Sequence, residues 1–210
     1  MPWHLSYPHV FSCGEKIYMI PESYMGSEIA IFEAVSFPDR WKKVKTLKSN
    51  YVAVDSTVFE YEGNCWLQTL QLVDGHEYLL LYVFENGELS KKPLCIATDD
   101  YNKRPGGKLF RYGGKLLRPA QDCTESYGCA LNFYEVTKIS IDTYEEHLIA
   151  KIMPENIYSD FSAVPQGIHT YNWSERFEVI DLKSYETDWL FYVMHPFWFV
   201  IRRIRRICGK

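Results

Sequence analysis

The chain repeats itself at intervals of about fifty residues, and this period limits what it can fold into more than any other feature. One segment reads Tyr7-Pro-His-Val-Phe11, then Gly14, then the apolar run Ile17-Tyr-Met-Ile20. A second reads Asp55-Ser-Thr-Val-Phe59, Gly63 and Cys65-Trp-Leu67. A third reads Arg104-Pro-Gly-Gly-Lys-Leu-Phe110, Gly113-Gly114 and Leu116-Leu117. Phe11, Phe59 and Phe110 stand 48 and 51 residues apart. Apolar strand, tight glycine turn and second apolar strand is the pattern of a β-hairpin. A further strand follows each hairpin in register: Ile29-Ala-Ile-Phe32, Leu79-Leu-Leu-Tyr82 and Leu131-Asn-Phe-Tyr134, with closing aromatics 50 and 52 apart. Three to four strands per period predict an all-β chain built from propeller blades, against an irregular β-sandwich with accidental spacing.

A looser fourth unit starts at Gln166-Gly-Ile-His-Thr-Tyr-Asn172 and continues in Phe177-Glu-Val-Ile-Asp181, with Ser174 where the turn glycine would stand. The predicted repeats cover about 6–50, 51–100, 101–152 and 153–188, so the propeller spans 1–188 and a tail spans 189–210. Gly106-Gly107 and Gly113-Gly114 lack the strand–turn–helix setting of a phosphate loop and read as turns. Composition agrees with a folded domain: 210 residues, 47% hydrophobic and 16% aromatic, exclude a disordered chain. A net charge of −4 argues against a nucleic-acid binder. The start, MPWHLSYPHVF, lacks the pattern of a secretory signal. The six cysteines show no zinc spacing and read as free thiols, with a Cys123–Cys129 bridge the alternative for an exported protein.

The strings SYPHVF…GEKIYMIPES, AVDSTVFEYEGNCWL, RPGGKLFRYGGKLLRPAQDC…YG and GIHTYN…FEVID resemble the N-terminal domain family of plant glucosamine inositolphosphorylceramide transferases and their bacterial relatives. The resemblance covers about residues 6–182. It implies a five-bladed β-propeller related to glycoside hydrolase family 43. Such domains open with a further blade bearing an Asp-Pro-Phe string. That blade is absent here, which predicts four blade-like repeats in a truncated product, a fragment or a domain completed by a partner chain.

In a propeller the innermost strand of each blade aims side chains at a central pocket. This makes the positions around Pro8, Asp55, Arg104 and His169 pocket candidates. By resemblance, Asp55 matches the blade position where family 43 enzymes place a carboxylate that tunes the acid; Asp55 also suits a turn cap before Ser56-Thr57. The family's general base belongs to the absent blade, and Arg104 stands where its general acid would be. Glu22 and Asp122 are the substitute carboxylates, each ending a strand after a proline, although Asp122 also suits bonding to its own backbone. Arg104, Arg118, Gln121, His169 and Asn172 are donors suited to an anionic sugar, with His9 a further pocket residue. Tyr7, Tyr127 and Tyr171 are candidate stacking rings, packing between blades being the alternative for each. No metal or cofactor is implied.

Residues 189–201 form an apolar run interrupted by Pro196, too short to span a bilayer. The last fourteen residues carry five basic groups and no acids. Residues 197–210 therefore suit an interfacial helix on an anionic membrane, or equally a last strand with a solvated basic end. Three functional readings follow. The first is a carbohydrate-recognising accessory propeller in glycoconjugate or glycolipid synthesis, taking a sugar, sugar nucleotide or glycolipid headgroup. Its place is cytoplasmic, peripheral on the inner face of the cell membrane. The second is a glycosidase or glycosyl-transferring enzyme using Asp55 with Asp122 or Glu22. The third is a protein-docking platform with an empty pocket.

Overall fold

The computed structural model describes residues 3–157 and 165–183; the tail and its proposed membrane helix lie outside these residues. The first sheet holds β1 (Ser6–Cys13), β2 (Lys16–Glu22), β3 (Glu28–Ser36) and β4 (Arg40–Ser49) in sequential antiparallel order. The second holds β5 (Ala53–Tyr61), β6 (Asn64–Val73) and β7 (His76–Glu85), with β8 (Glu88–Leu89) and β9 (Leu94–Ala97) both pairing β7. In the third, β10 (Arg104–Pro105) and β11 (Phe110–Tyr112) share the inner edge of β12 (Lys115–Asp122), followed by β13 (Ala130–Ile139) and β14 (Tyr144–Ile152). The fourth is the hairpin of β15 (Gly167–Trp173) and β16 (Glu178–Lys183). The chain folds as a β-propeller, and these four sheets are the blades among the described residues.

Side-chain alternation explains how one blade serves two neighbours. Successive residues of a strand point to opposite faces. Val58, Leu67 and Leu80 face the first blade and pack with Ile20, Ile29 and Ile31. Their neighbours Phe59, Trp66 and Leu81 face the third blade and pack with Leu109, Leu116 and Val136. A third cluster joins Leu131 and Phe133 to Ile168 of the fourth blade. The core is therefore three slabs between blades. Each fully buried Leu, Ile or Phe contributes roughly 1.5–3 kcal/mol. Tyr171 belongs to the third slab, its ring 5.4 Å from Phe110 and 5.1 Å from Phe133, so packing is its role.

The hairpin turns account for most of the glycines in the repeat. Glu62-Gly63, Asp74-Gly75, Asn86-Gly87 and Gly113-Gly114 all have positive φ at both residues, the two-residue turn that matches strand twist. In the fourth blade Ser174 accepts hydrogen bonds from the backbone N–H groups of Arg176 and Phe177, so that longer turn needs no glycine. Gly106-Gly107 is a correction. It is the break between β10 and β11, where the backbone meets the fourth blade: Tyr171 N–H donates to the Gly106 carbonyl at 2.7 Å. A Cβ on Gly107 would lie 2.0 Å from the Tyr171 carbonyl oxygen. Glycine is required there by close approach.

Candidate functional site

All four inner strands are irregular at the same end. Pairing slips between Ser6 and His9, between Val54 and Thr57, and between Ile168 and Tyr171, while the third blade has its β10–β11 break. Tyr7 and Asp55 hold positive φ, 41° and 54°, a conformation that non-glycine residues rarely adopt. Bulges of this kind re-aim side chains, and here they surround a cavity of about 610 Å³ between the blades. Tyr7, His9 and Glu22 come from the first blade, Asp55 from the second, Arg104, Gln121 and Tyr127 from the third. The fourth contributes His169, Thr170, Asn172 and Asp181.

At the centre, Arg104 Nε donates to Asp55 Oδ2 at 2.9 Å. The guanidinium lies 4.8 Å from the Tyr127 ring centroid, so a cation–π contact fixes its plane. Its two terminal nitrogens have no hydrogen-bond partner among the described residues. Burial raises the Asp55 carboxyl; Arg104 draws it back, and the neighbouring Glu22 carboxyl, in hydrogen-bond reach, raises it again, leaving it at about 7. The Tyr7 hydroxyl bonds Thr57 Oγ1 at 3.2 Å and the backbone of Gly107, tying three blades together. His9 is buried and stacked on Phe11. Its burial, with Lys108 nearby, lowers the imidazole to about 4, so it is neutral.

The fourth blade supplies a fixed imidazole. Asp181 Oδ2 lies 2.9 Å from His169 Nδ1, while its Oδ1 accepts the backbone N–H groups of His169 and Thr170. The contact assigns the proton of neutral His169 to Nδ1. Tyr127 sits between this ring, at 4.6 Å, and Arg104. Asn172 Oδ1 accepts the Lys108 backbone N–H at 3.1 Å, and Gln121 Nε2 donates to the Pro105 carbonyl at 2.9 Å. Both hold the glycine break in place.

Besides Tyr171, two sequence candidates stand outside the cavity. Arg118 is fully buried in a bidentate pair with Glu146 and lies 5.0 Å from the Tyr134 ring centroid, so it holds blade three together. Asp122 accepts from Thr124, from Asn132 at 3.2 Å and from Lys151 at 2.9 Å. Burial alone would raise its carboxyl; the bonds from Thr124 and Lys151 prevail and bring it down to about 2. Parity explains both. Gln121 points into the cavity, so residues 118 and 122 on the same strand point to the other face. The sequence reading missed Lys108, Thr170 and Asp181. For Asp181 the signal was present, because its hairpin brings the FEVID strand opposite His169. Among the described residues no cluster of three or more His, Cys, Asp or Glu is arranged to hold a metal ion, and no helix is long and apolar enough to cross a membrane.

Known structures share this architecture at low sequence identity. An α-L-arabinofuranosidase from Clostridium thermocellum superposes with a TM-score of 0.57 at 11% identity, over 82% of this chain and 59% of that one. An α-L-arabinofuranosidase from Lactobacillus brevis gives 0.56 at 15%, over 86% and 66%. An exo-1,5-α-L-arabinanase from a bovine ruminal metagenomic library gives 0.53 at 15%, over 88% and 70%. These likenesses show the glycosidase-type five-bladed propeller fold. In sequence, glucosamine inositolphosphorylceramide transferase 1 of Oryza sativa subsp. japonica is 31% identical over 153 residues, and that of Arabidopsis thaliana 32% over 159. Each match covers 69% of this chain and 20% of the relative, so the chain spans about a fifth of their length. Residues 1–159 match the family described as glucosamine inositolphosphorylceramide transferase 1, N-terminal, and the chain belongs to that family.

Proposed function

We propose that this propeller is a carbohydrate-recognising domain whose central cavity binds a sugar bearing an anionic group, such as a sugar nucleotide or a glycolipid headgroup. The observation that carries the reading is Arg104. Its Nε is spent on Asp55 and its face on Tyr127, which leaves a pre-oriented pair of terminal nitrogens for a phosphate or carboxylate. Lys108 on the rim adds a second cation with no ion pair among the described residues. Half-exposed Tyr127 offers the aromatic surface that a pyranose ring covers. The name of the relatives places them in glycolipid synthesis, and for this chain we infer the binding role of an accessory or substrate-holding domain.

The glycosidase alternative needs two carboxyl groups roughly 5 Å or more apart, with the scissile bond between them. Asp55 is instead engaged by Arg104 at 2.9 Å, the Glu22 carboxyl lies near enough to raise it, and Asp122 stands outside the cavity. The geometry therefore favours binding over hydrolysis. Calorimetric titration of the full chain with glucosamine, inositol 1-phosphate and UDP-N-acetylglucosamine tests this. At least one should give saturable binding, weakened about tenfold or more by Arg104→Ala, as loss of a charged hydrogen bond requires, and also weakened by His169→Ala. Binding that both variants leave unchanged overturns the site assignment. Turnover abolished by Asp55→Asn would restore the enzyme reading.

A further inference from the structure

The central cavity has a neighbour. A second, smaller cavity of about 210 Å³ opens at the same end, over the rim of the second blade. Glu22 and Arg104 line both cavities, so the two are separated only by these side chains. Beyond them the chemistry changes. The walls are Val52 just before β5 and Val54 near its start, Leu70 and Leu72 at the end of β6, and Tyr24 on the loop after β2. Besides the Tyr24 hydroxyl, the other polar side chain lining it is Glu77, whose carboxylate is taken by Lys103 at 3.0 Å.

We infer that this annex is a binding site for an apolar aglycone, so that the ligand is a sugar headgroup joined to an aliphatic chain, lying across Glu22 and Arg104. The inference rests on the carbohydrate reading of the central cavity. Size supports it: independent ligand sites enclose roughly 300–1,000 Å³, and a space of about 210 Å³ suits part of a larger molecule. Chemistry supports it further. Hydroxyl groups pressed against Val52, Val54 and Leu72 would lose water and find no partner, whereas methylene groups gain by leaving water. The inner end, by contrast, is ionic. The linkage between the two parts therefore falls between the Glu22 carboxyl and the Arg104 guanidinium, whose N–H groups its oxygens meet. Tyr24, 51% exposed, forms the flank that an aliphatic chain would cover.

The test compares methyl and hexyl β-D-glucuronides, whose carboxylate supplies the anionic group, titrated into the full chain. The hexyl compound should bind about tenfold more tightly than the methyl one, since each buried methylene adds up to ~0.8 kcal/mol. Leu72→Asn and Tyr24→Ala should reduce that ratio toward one while leaving methyl glycoside affinity unchanged. Tyr24 lies on an exposed loop, so its variant keeps the test decisive if Leu72→Asn fails to fold. A ratio near one in the unaltered chain, or a ratio that survives both substitutions, overturns the annex and leaves the sugar site standing. Failure of both glucuronides while inositol 1-phosphate or UDP-N-acetylglucosamine binds overturns the annex alone, and failure of all four removes the annex together with the reading on which it depends.

Discussion

Asp55 and His9 face one cavity from neighbouring blades, and folding displaces their proton affinities in opposite directions. Burial, set against Arg104 and reinforced by Glu22, leaves the Asp55 carboxyl at about 7. An ordinary aspartate titrates near ~3.9. Its folded value is raised, so the stability it confers is complete below about pH 4 and is lost as pH rises through 7. Burial and Lys108 bring His9 down to about 4, against about 6.5 for an ordinary histidine. Its contribution is complete above about pH 6.5 and is lost as pH falls through 4. The two slopes therefore oppose each other across this range. Relative to the unaltered chain, Asp55→Asn should therefore lose thermal stability progressively on acidification from pH 7 to 4, and His9→Gln should gain it. Melting curves taken along that range decide the matter, and parallel profiles for the two variants would show that neither group carries the stated shift. The same pair illustrates what one residue reveals in advance. Asp55 and Glu22 were both legible as pocket carboxylates near the ends of blade strands, whereas the ion pair of Asp55 with Arg104 joins positions 49 residues apart in different blades.

At the scale of elements, hairpins declare themselves and interruptions do not. A two-residue turn leaves a local mark, since both residues need positive φ; Glu62-Gly63 and Gly113-Gly114 carry it. The β10–β11 break carries the same Gly-Gly pair for a different reason, the approach of another blade 64 residues away in sequence. No local pattern distinguishes the two. A matched pair of substitutions does. Gly113 has φ +57° and open space around its missing Cβ, so Gly113→Ala should cost only the backbone term, about 1 kcal/mol. Gly107 has φ +139° and the Tyr171 carbonyl at 2.0 Å from an added Cβ, so Gly107→Ala must push the third and fourth blades apart. Urea unfolding should place its loss well above that of Gly113→Ala, by more than about 1 kcal/mol. The sugar binding proposed above should weaken as well, because Arg104 and His169 stand on the two separated elements. Equal costs for the two alanines would mean that the break is an ordinary turn.

The whole molecule is organised by neighbour contacts in sequence order, which is why its architecture could be read from a period of about fifty residues. Blade packing uses the same inner and middle strand positions each time, so Phe32, Tyr82 and Tyr134 recur at equivalent buried places. The cavity obeys no such repetition. It takes a tyrosine, an aspartate, an arginine and a histidine from four equivalent bulged ends, and their convergence exists only once the blades surround a common centre. The energetic counterpart is that the core is divided. Leu67 packs in the slab between the first and second blades and Leu131 in the slab between the third and fourth, with no member in common. Leu67→Ala and Leu131→Ala should each cost about 2–5 kcal/mol, and their sum should match the double variant within about 0.5 kcal/mol. Val58 is the cross-strand partner of Leu67 within one slab, so Val58→Ala should couple with Leu67→Ala by more than that margin. Urea unfolding of the three single and two double variants supplies both coupling energies. Coupling of Leu67 to Leu131 as strong as its coupling to Val58 would mean that strain passes through the second and third blades as through one continuous core. The cavity residues, drawn from all four described blades, would then be the first place to look for the connection.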